Sequence, residues 1–297
     1  MKNLPQKFRT FRDKVRNLDL SPREFVQAKG KRDGTIMSIA HRQIISLNKT
    51  ATIKQTADKM SVNRVRRLFI TDIKQNLEGM VSATDIVNFL SGGDFYKIVK
   101  NKHNGVLEAA ANEHIRLLMT ENPKTIKYSE NIEDALIKMH EDNVGSLPII
   151  DGNKVIGIVT ERDFVNLLSK YYTNEKVSAY MTKDPIIGTP GMVLGDIAKV
   201  MIRNGFRRLP IVQEDTLIGV VSTIDIVSTF SHYPKTEILE WAVSKIMNRP
   251  ITIPSEATLP DAAEVMRKNS IGGLSVLNGN KMVGVITERD LLKVLSA

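Results

Sequence analysis

The amino-acid sequence predicts an α/β protein made of four β-α-β-β-α repeats, arranged as two pseudo-symmetric paired modules. Three observations lead to this prediction. A seven-residue phrase recurs four times, and a methionine stands 24 or 25 residues before the aspartate that ends each phrase. The odd-numbered repeats also share residues that the even-numbered repeats lack. Self-similarity of this kind indicates one supersecondary unit that is used several times.

The recurring phrase consists of Gly, two apolar residues, Ser or Thr, two variable residues and Asp. Its copies span residues 79–85, 157–163, 219–225 and 284–290. The methionines are Met60, Met139, Met201 and Met266, and an apolar residue lies seven positions before each of them. Four copies with such constant spacing are very improbable by chance.

Each repeat is predicted to begin with a short extended piece, such as residues 123–126 or 250–253. A helix of about ten residues follows, because its start resembles a capping box and its apolar residues recur with helical spacing. The capping-box sequences are Thr52-x-x-Gln55, Asn131-x-x-Asp134 and Thr258-x-x-Asp261. Two apolar strands come next, at 146–150 and 155–159 in the second repeat, and the turn 151–154 joins them. The second helix begins at the Ser or Thr of the phrase.

A single repeat of about 55–60 residues is marginal for independent stability, so the repeats are expected to pair. Repeats one and three carry Arg66-Arg67-Leu68 and Arg207-Arg208-Leu209, where repeats two and four carry Gly145-Ser146-Leu147 and Gly272-Gly273-Leu274. This alternation indicates that a pair was duplicated. We therefore predict repeats at 36–92 and 115–172, forming the module 36–172, and repeats at 176–230 and 243–297, forming the module 176–297.

Composition and charge exclude several classes of protein. The 297 residues include no cysteine, which rules out disulfides, thiolate metal sites and a cysteine nucleophile. No apolar run approaches membrane-spanning length, and the charged N-terminus does not resemble a signal peptide, so we expect a cytoplasmic protein. Ten of the basic residues and only four acidic residues fall in the N-terminal arm, residues 1–35. This arm is either a nucleic-acid contact or a solvated terminus.

Three segments resemble a CBS domain, the regulatory domain of cystathionine β-synthase. They are residues 119–126 (MTENPKTI), 147–150 (LPII) and 157–163 (GIVTERD). The resemblance implies four tandem CBS domains, a layout similar to that of the γ subunit of AMP-activated protein kinase. It also implies clefts between paired domains that bind adenosine ligands, with AMP the first choice, ADP or ATP next, and S-adenosylmethionine ranked behind. Such modules regulate partner proteins, so a regulated protein partner is expected.

The residues of the phrase suit such a ligand. An ionised Asp can accept both ribose hydroxyls, and the N-terminus of a helix favours phosphate. Arginine adds forked hydrogen bonds to phosphate. The candidate residues are Ser82 and Asp85, Thr160 and Asp163, Ser222 and Asp225, Thr287 and Asp290, and the arginines 66, 67, 207 and 208.

The resemblance further implies that each site is completed by the partner domain. Thr160 and Asp163 would then meet Arg66 or Arg67. Likewise, Thr287 and Asp290 would meet Arg207 or Arg208. The sites at Ser82/Asp85 and Ser222/Asp225 would face the glycines of the even repeats and lack arginine, so we expect weaker phosphate binding there.

A purely structural interpretation remains open, because Ser/Thr-x-x-Asp at a helix start is close to a capping box and needs no ligand. The shorter Asp in place of Glu or Gln, together with the recurring arginines, favours the ligand. No P-loop, nucleophile elbow or histidine spacing for a metal occurs, so we expect no enzyme and no metal site. The leading hypothesis is a non-enzymatic sensor of adenine nucleotides in the form of a monomeric disk or a homodimer. The alternative is a nucleic-acid-binding protein that uses residues 1–35, with the CBS modules as its switch.

Overall fold

The computed structural model describes residues 35–168 and 174–293. The predicted basic arm, apart from Thr35, lies outside the described residues. Within them the protein has the mixed α/β architecture that the repeats predict.

The helices and strands follow the repeats in order. Repeat one contains β1 (Ser46–Leu47), α1 (Ile53–Asn63), β2 (Arg67–Thr71), β3 (Leu77–Ser82) and α2 (Ala83–Leu90), and α3 (Leu107–Ala110) follows it. Repeat two contains β4 (Thr120–Glu121), β5 (Ile126–Lys127), α4 (Ile132–Glu141), β6 (Ser146–Asp151), β7 (Lys154–Thr160) and α5 (Glu161–Leu168). Repeat three contains α6 (Val177–Tyr180), β8 (Thr182–Lys183), α7 (Leu194–Asn204), β9 (Arg208–Gln213), β10 (Thr216–Ser222) and α8 (Thr223–His232). Repeat four contains β11 (Thr252–Pro254), α9 (Leu259–Lys268), β12 (Gly273–Asn278), β13 (Lys281–Thr287) and α10 (Glu288–Lys293).

The order β-α-β-β-α is confirmed in the sheets. In repeats one, two and four the short first strand runs parallel to the first strand of an antiparallel hairpin. In repeat three the hairpin β9–β10 is present, but the first strand is reduced to a single parallel bridge between Gly188 and Ile211. The three predicted capping boxes are also confirmed at the starts of α1, α4 and α9.

The segment that leads into each repeat pairs with the hairpin of a different repeat. Strand β4, which leads into repeat two, is antiparallel to β3 of repeat one. Strand β8, which leads into repeat three, is antiparallel to β13 of repeat four. The segments that lead into repeats one and four each make a single antiparallel bridge. His41 pairs with Ile158 of repeat two, and Asn248 pairs with Val220 of repeat three. Repeats one and two therefore exchange leading segments, as do repeats three and four.

This exchange explains why every copy of the phrase begins with glycine. A Cβ atom on Gly219 would lie 2.5 Å from the Sδ atom of Met247, and one on Gly284 would lie 2.7 Å from the Sδ atom of Met181. Both methionines belong to leading segments. The backbone is close as well, since Thr182 O would lie 2.8 Å from a Cβ atom on Gly284 and Thr120 O 2.9 Å from one on Gly79, so a side chain here would require the exchanged segment to shift.

The chain forms two compact units, each composed of separate stretches of sequence. Within the described residues, unit 1 comprises 35–44, 124–168, 174–185 and 251–293, and unit 2 comprises 45–123 and 186–250. The units thus combine repeat two with repeat four, and repeat one with repeat three. The predicted grouping into modules 36–172 and 176–297 is a different one, and it stays a prediction.

Helix packing is the physical basis of the two units. In unit 2, α1 packs against α8, and α2 packs against α7 and α8, so that both repeats contribute to a single apolar core. Phe89 and Phe230 meet edge to face at its centre, with ring centroids 6.4 Å apart. In unit 1, α5 packs against α9 and α10. Such helix faces bury the apolar stripes that a lone repeat would leave in water.

Candidate functional site

Each predicted aspartate lies at the N-terminus of the second helix of its repeat. The Oδ2 atom of the aspartate accepts the backbone N–H of the Ser or Thr three residues earlier, at 2.7–3.0 Å. The same oxygen also accepts the hydroxyl of that Ser or Thr. The four positions are Asp85, Asp163, Asp225 and Asp290. This is capping-box geometry, so one carboxylate oxygen is committed to the helix in every repeat.

Aspartate at this position does not by itself argue against a capping role. Asp134 and Asp261, which lie outside the phrase, close capping boxes at α4 and α9 in the same way. Aspartate in place of glutamate therefore does not favour a ligand, contrary to the expectation from sequence. Any ligand role must rest on the second oxygen, Oδ1, and on its neighbours.

The second oxygen has different neighbours in the two units. In unit 1, Asp163 Oδ1 lies 3.0 Å from His41 Nε2, and Asp290 Oδ1 lies 2.6 Å from Lys293 Nζ. Both of these aspartate side chains are buried. In unit 2, Asp85 and Asp225 are half-buried. The aspartates of the even repeats therefore already contact a basic side chain, and one of these side chains, His41, comes from the segment that leads into repeat one.

The charge of Arg67 acts on Asp85 within unit 2. Antiparallel pairing places Arg67 directly opposite Ser82, and Arg208 directly opposite Ser222. Burial raises the pKa of the Asp85 carboxyl, while the Ser82 hydrogen bonds and the charge of Arg67 lower it. The expected absence of partner-repeat arginines at the Ser82/Asp85 site stays a prediction, but Arg67 of the same repeat already brings a positive charge near this site. The contacts predicted between Asp163 and Arg66 or Arg67, and between Asp290 and Arg207 or Arg208, join residues of different units and remain predictions.

The even repeats carry a reciprocal pair of ion pairs that sequence reasoning missed. Arg162 Nε lies 2.8 Å from Glu288 Oε1, and Arg289 Nε lies 2.9 Å from Glu161 Oε1. Both glutamates are buried, and each is the first residue of its helix, at a terminus that favours negative charge. The shared Thr-Glu-Arg-Asp sequence of repeats two and four was the available signal. We call these four side chains the cross-pair.

The cross-pair also explains the glycines of the even repeats. A Cβ atom on Gly272 would lie 2.3 Å from Glu288 Oε2, and one on Gly145 would lie 3.0 Å from the carboxylate of Glu161. The odd repeats have Arg66 and Arg207 at these positions, and Ala83 and Thr223 in place of the glutamates. The alternation therefore conserves side-chain volume. The odd repeats have a large residue before the hairpin and a small one after it, and the even repeats have a glycine before the hairpin and a glutamate after it.

Two further properties apply to the described residues. Within 35–168 and 174–293, no helix is long and apolar enough to cross a membrane. In the same part of the chain, no group of three or more His, Asp or Glu side chains is placed to hold a metal ion.

Comparison with known proteins defines the class. The family model of the CBS domain matches residues 36–92, 113–170, 177–232 and 243–297. The chain belongs to the CBS domain family, and it contains four copies of the domain.

Individual relatives cover nearly the whole length. The uncharacterised protein MJ1225 of Methanocaldococcus jannaschii is 37% identical over 273 residues, which are 87% of this chain and 98% of that protein. The crystal structure of MJ1225, a proposed archaeal homologue of γ-AMPK, is similar with a TM-score of 0.81 over 88% of this chain and 99% of that chain, at 36% identity. An uncharacterised 33.4 kDa protein of Thermofilum pendens is 30% identical over 244 residues, which are 78% of this chain and 81% of that protein.

Proposed function

We propose that this protein is a non-catalytic sensor of adenine nucleotides, with AMP as the first choice of ligand and ADP or ATP next. The observation that carries the proposal is the fourfold aspartate at a helix N-terminus, placed equivalently in four CBS domains. An aspartate there presents a carboxylate for ribose hydroxyls next to free N–H groups that suit phosphate. Ligand binding would stabilise the folded chain and change its affinity for a protein partner.

The charges around Asp85 support a phosphorylated ligand in unit 2. Burial raises the pKa of the Asp85 carboxyl, and the positive charge of Arg67 acts against that rise. A carboxylate and a guanidinium at one site would match the two ends of a nucleoside monophosphate, the ribose diol and the phosphate. We therefore propose that Arg67 contributes to phosphate binding at the Ser82/Asp85 site.

Calorimetric titration of the full chain with AMP, ADP, ATP, S-adenosylmethionine and adenosine tests the proposal. We expect binding of AMP, and we expect Arg67→Ala to weaken AMP binding while it leaves adenosine binding nearly unchanged, because adenosine has no phosphate. Losing one charged hydrogen bond corresponds to about a tenfold to a hundredfold loss of affinity. Folded protein that binds none of these ligands would refute the proposal.

A nucleic-acid-binding role is the second candidate, and it rests on the excess of basic residues in the arm, ten against four acidic residues. Deleting residues 1–35 separates the two candidates. The deletion should remove any salt-dependent binding of nucleic acid and leave AMP affinity intact. Loss of AMP binding in the deleted protein would show that the arm belongs to the nucleotide site.

A further inference from the structure

Four residues in leading segments are structurally equivalent, and one of them differs in chemistry. His41, Thr120, Thr182 and Asn248 each pair with the residue that follows the glycine of a phrase. For His41 this partner is Ile158, and two backbone hydrogen bonds of 2.9 and 3.0 Å hold the pair. The register of His41 is therefore well defined, and only this position of the four carries an imidazole.

The backbone register brings the His41 side chain to Asp163. Its Nε2 atom lies 3.0 Å from Asp163 Oδ1, while Thr160 engages Oδ2. The histidine side chain is 63% exposed and the aspartate side chain only 3% exposed. The imidazole thus lies on the solvent side of a buried carboxylate, and both oxygens of Asp163 have a partner.

The pair responds to pH in a defined direction. The hydrogen bond to Asp163 raises the pKa of His41 above its ordinary value of 6.5, against the opposing effects of partial burial and of the positive charge of Arg162. Asp163 and Arg162 are the charged groups that act on the imidazole. Near neutral pH, His41 is therefore more protonated than a free histidine, and its positive charge favours the ion pair with Asp163.

We propose that His41 is a residue of the ligand site in repeat two. Its imidazole pairs with Asp163 Oδ1 until a ligand binds. The ribose diol of the ligand then displaces the imidazole from Asp163, and a proton is released. This inference rests on the proposed function, since it assigns a regulator to the same site. At the Asp85 and Asp225 sites the positions equivalent to His41 are Thr120 and Asn248. Neither of these side chains releases a proton when it is displaced. The site in repeat two is thereby distinguished from those two sites by proton-linked binding.

The pH window follows from linkage. Below the ordinary pKa of 6.5, His41 is protonated both in the pair and after displacement, so affinity is flat and at its weakest. Between that value and the raised pKa of the pair, displacement releases a proton, and affinity increases with pH. Above the raised pKa, the imidazole is neutral in both states, and affinity is flat again at its strongest.

The experiment uses adenosine as the probe, because a phosphate group has its own pKa of about 6 and would titrate in the same range. The full chain is titrated between pH 5.5 and 8.5 by calorimetry, and the His41 imidazole is followed by NMR with and without adenosine. His41→Thr is the matched variant, because it installs the residue that the chain itself uses at Thr120 and Thr182. Asp163→Asn serves as the control that removes the carboxylate.

We expect adenosine to return the His41 pKa to its ordinary value, as Asp163→Asn should do without ligand. His41→Thr should bind adenosine about two- to fivefold more tightly at pH 6 and lose the pH dependence. Adenosine binding that leaves the His41 titration unchanged would overturn this inference alone. Absence of binding by any adenosine ligand would overturn the proposed function, and the inference with it.

Discussion

At the scale of single residues, the aspartates of the phrase serve the helix in every repeat and differ in what else they contact. Oδ2 accepts the backbone N–H of the Ser or Thr three residues earlier at all four positions. Asp163 and Asp290 add a histidine and a lysine at Oδ1, whereas Asp85 is acted on by the charge of Arg67, which pairs with Ser82 in the hairpin. A stabilising role and a binding role therefore coexist in one side chain, and they must be separated by experiment.

Asp85→Ala and Asp261→Ala form a matched pair for that purpose. Both remove the aspartate of a capping box, so each should lower the free energy of unfolding by about 1 kcal/mol. Only Asp85 belongs to a proposed ligand site, so only Asp85→Ala should remove an AMP site, measured as affinity and stoichiometry by calorimetry. If both variants lose equal stability and AMP binding is unchanged in both, Asp85 serves only to cap its helix.

At the scale of secondary-structure elements, the cross-pair joins α5 and α10 in unit 1. Each helix starts with a buried glutamate followed by an arginine. The arginine of each helix binds the glutamate of the other helix. Because these arginines immediately precede Asp163 and Asp290, the cross-pair also positions the two helix starts that carry the aspartates. Unit 2 has no such residues, since Ala83 and Thr223 replace the glutamates.

Arg162→Ala and Glu288→Gln test the cross-pair by a double-mutant cycle. Each single variant should destabilise the chain by about 1–3 kcal/mol, because it leaves a buried charged or polar group without its partner. The double variant should cost less than the sum, with coupling above about 0.5 kcal/mol in chemical denaturation. The exposed pair Arg267 and Glu264 on α9 is the control, and its coupling should be smaller. Additive effects at Arg162 and Glu288 would contradict the pairing.

At the scale of the whole molecule, the compact units interleave along the chain. Unit 1 takes three stretches of sequence and unit 2 takes two. In unit 2 the apolar faces of α1 and α2 are buried by α7 and α8, which belong to a repeat more than 100 residues away. Any fragment that separates repeats one and three therefore exposes apolar residues of that core.

The fragment 36–172, which is the first module predicted from sequence, provides the test. It lacks α7 and α8, so the buried faces of α1 and α2 should become exposed and should associate with a second copy. We expect a dimer by light scattering and a melting temperature about 10 °C or more below that of the full chain. Adding the fragment 176–297 should restore the stability. A monomeric fragment 36–172 as stable as the full chain would show that the module is self-sufficient.

The sequence by itself determined the number of repeats, the order of elements within each repeat, the capping boxes and the aspartates at the helix starts. These features depend on short-range rules: helical spacing, turn residues and hydrogen bonds between residues three apart. Such rules operate within one repeat, and four copies in the same chain reinforce one another. The family assignment depended on the same local phrases.

Only the tertiary structure decided which repeat receives each leading segment, why the phrase begins with glycine, and which cation meets which aspartate. The contact between His41 and Asp163 and the cross-pair between Glu161 and Arg289 join residues more than 100 positions apart. No local pattern specifies such partners, because many pairings satisfy the same sequence spacing. The choice among them depends on which apolar faces and buried charges can be satisfied together in the packed units.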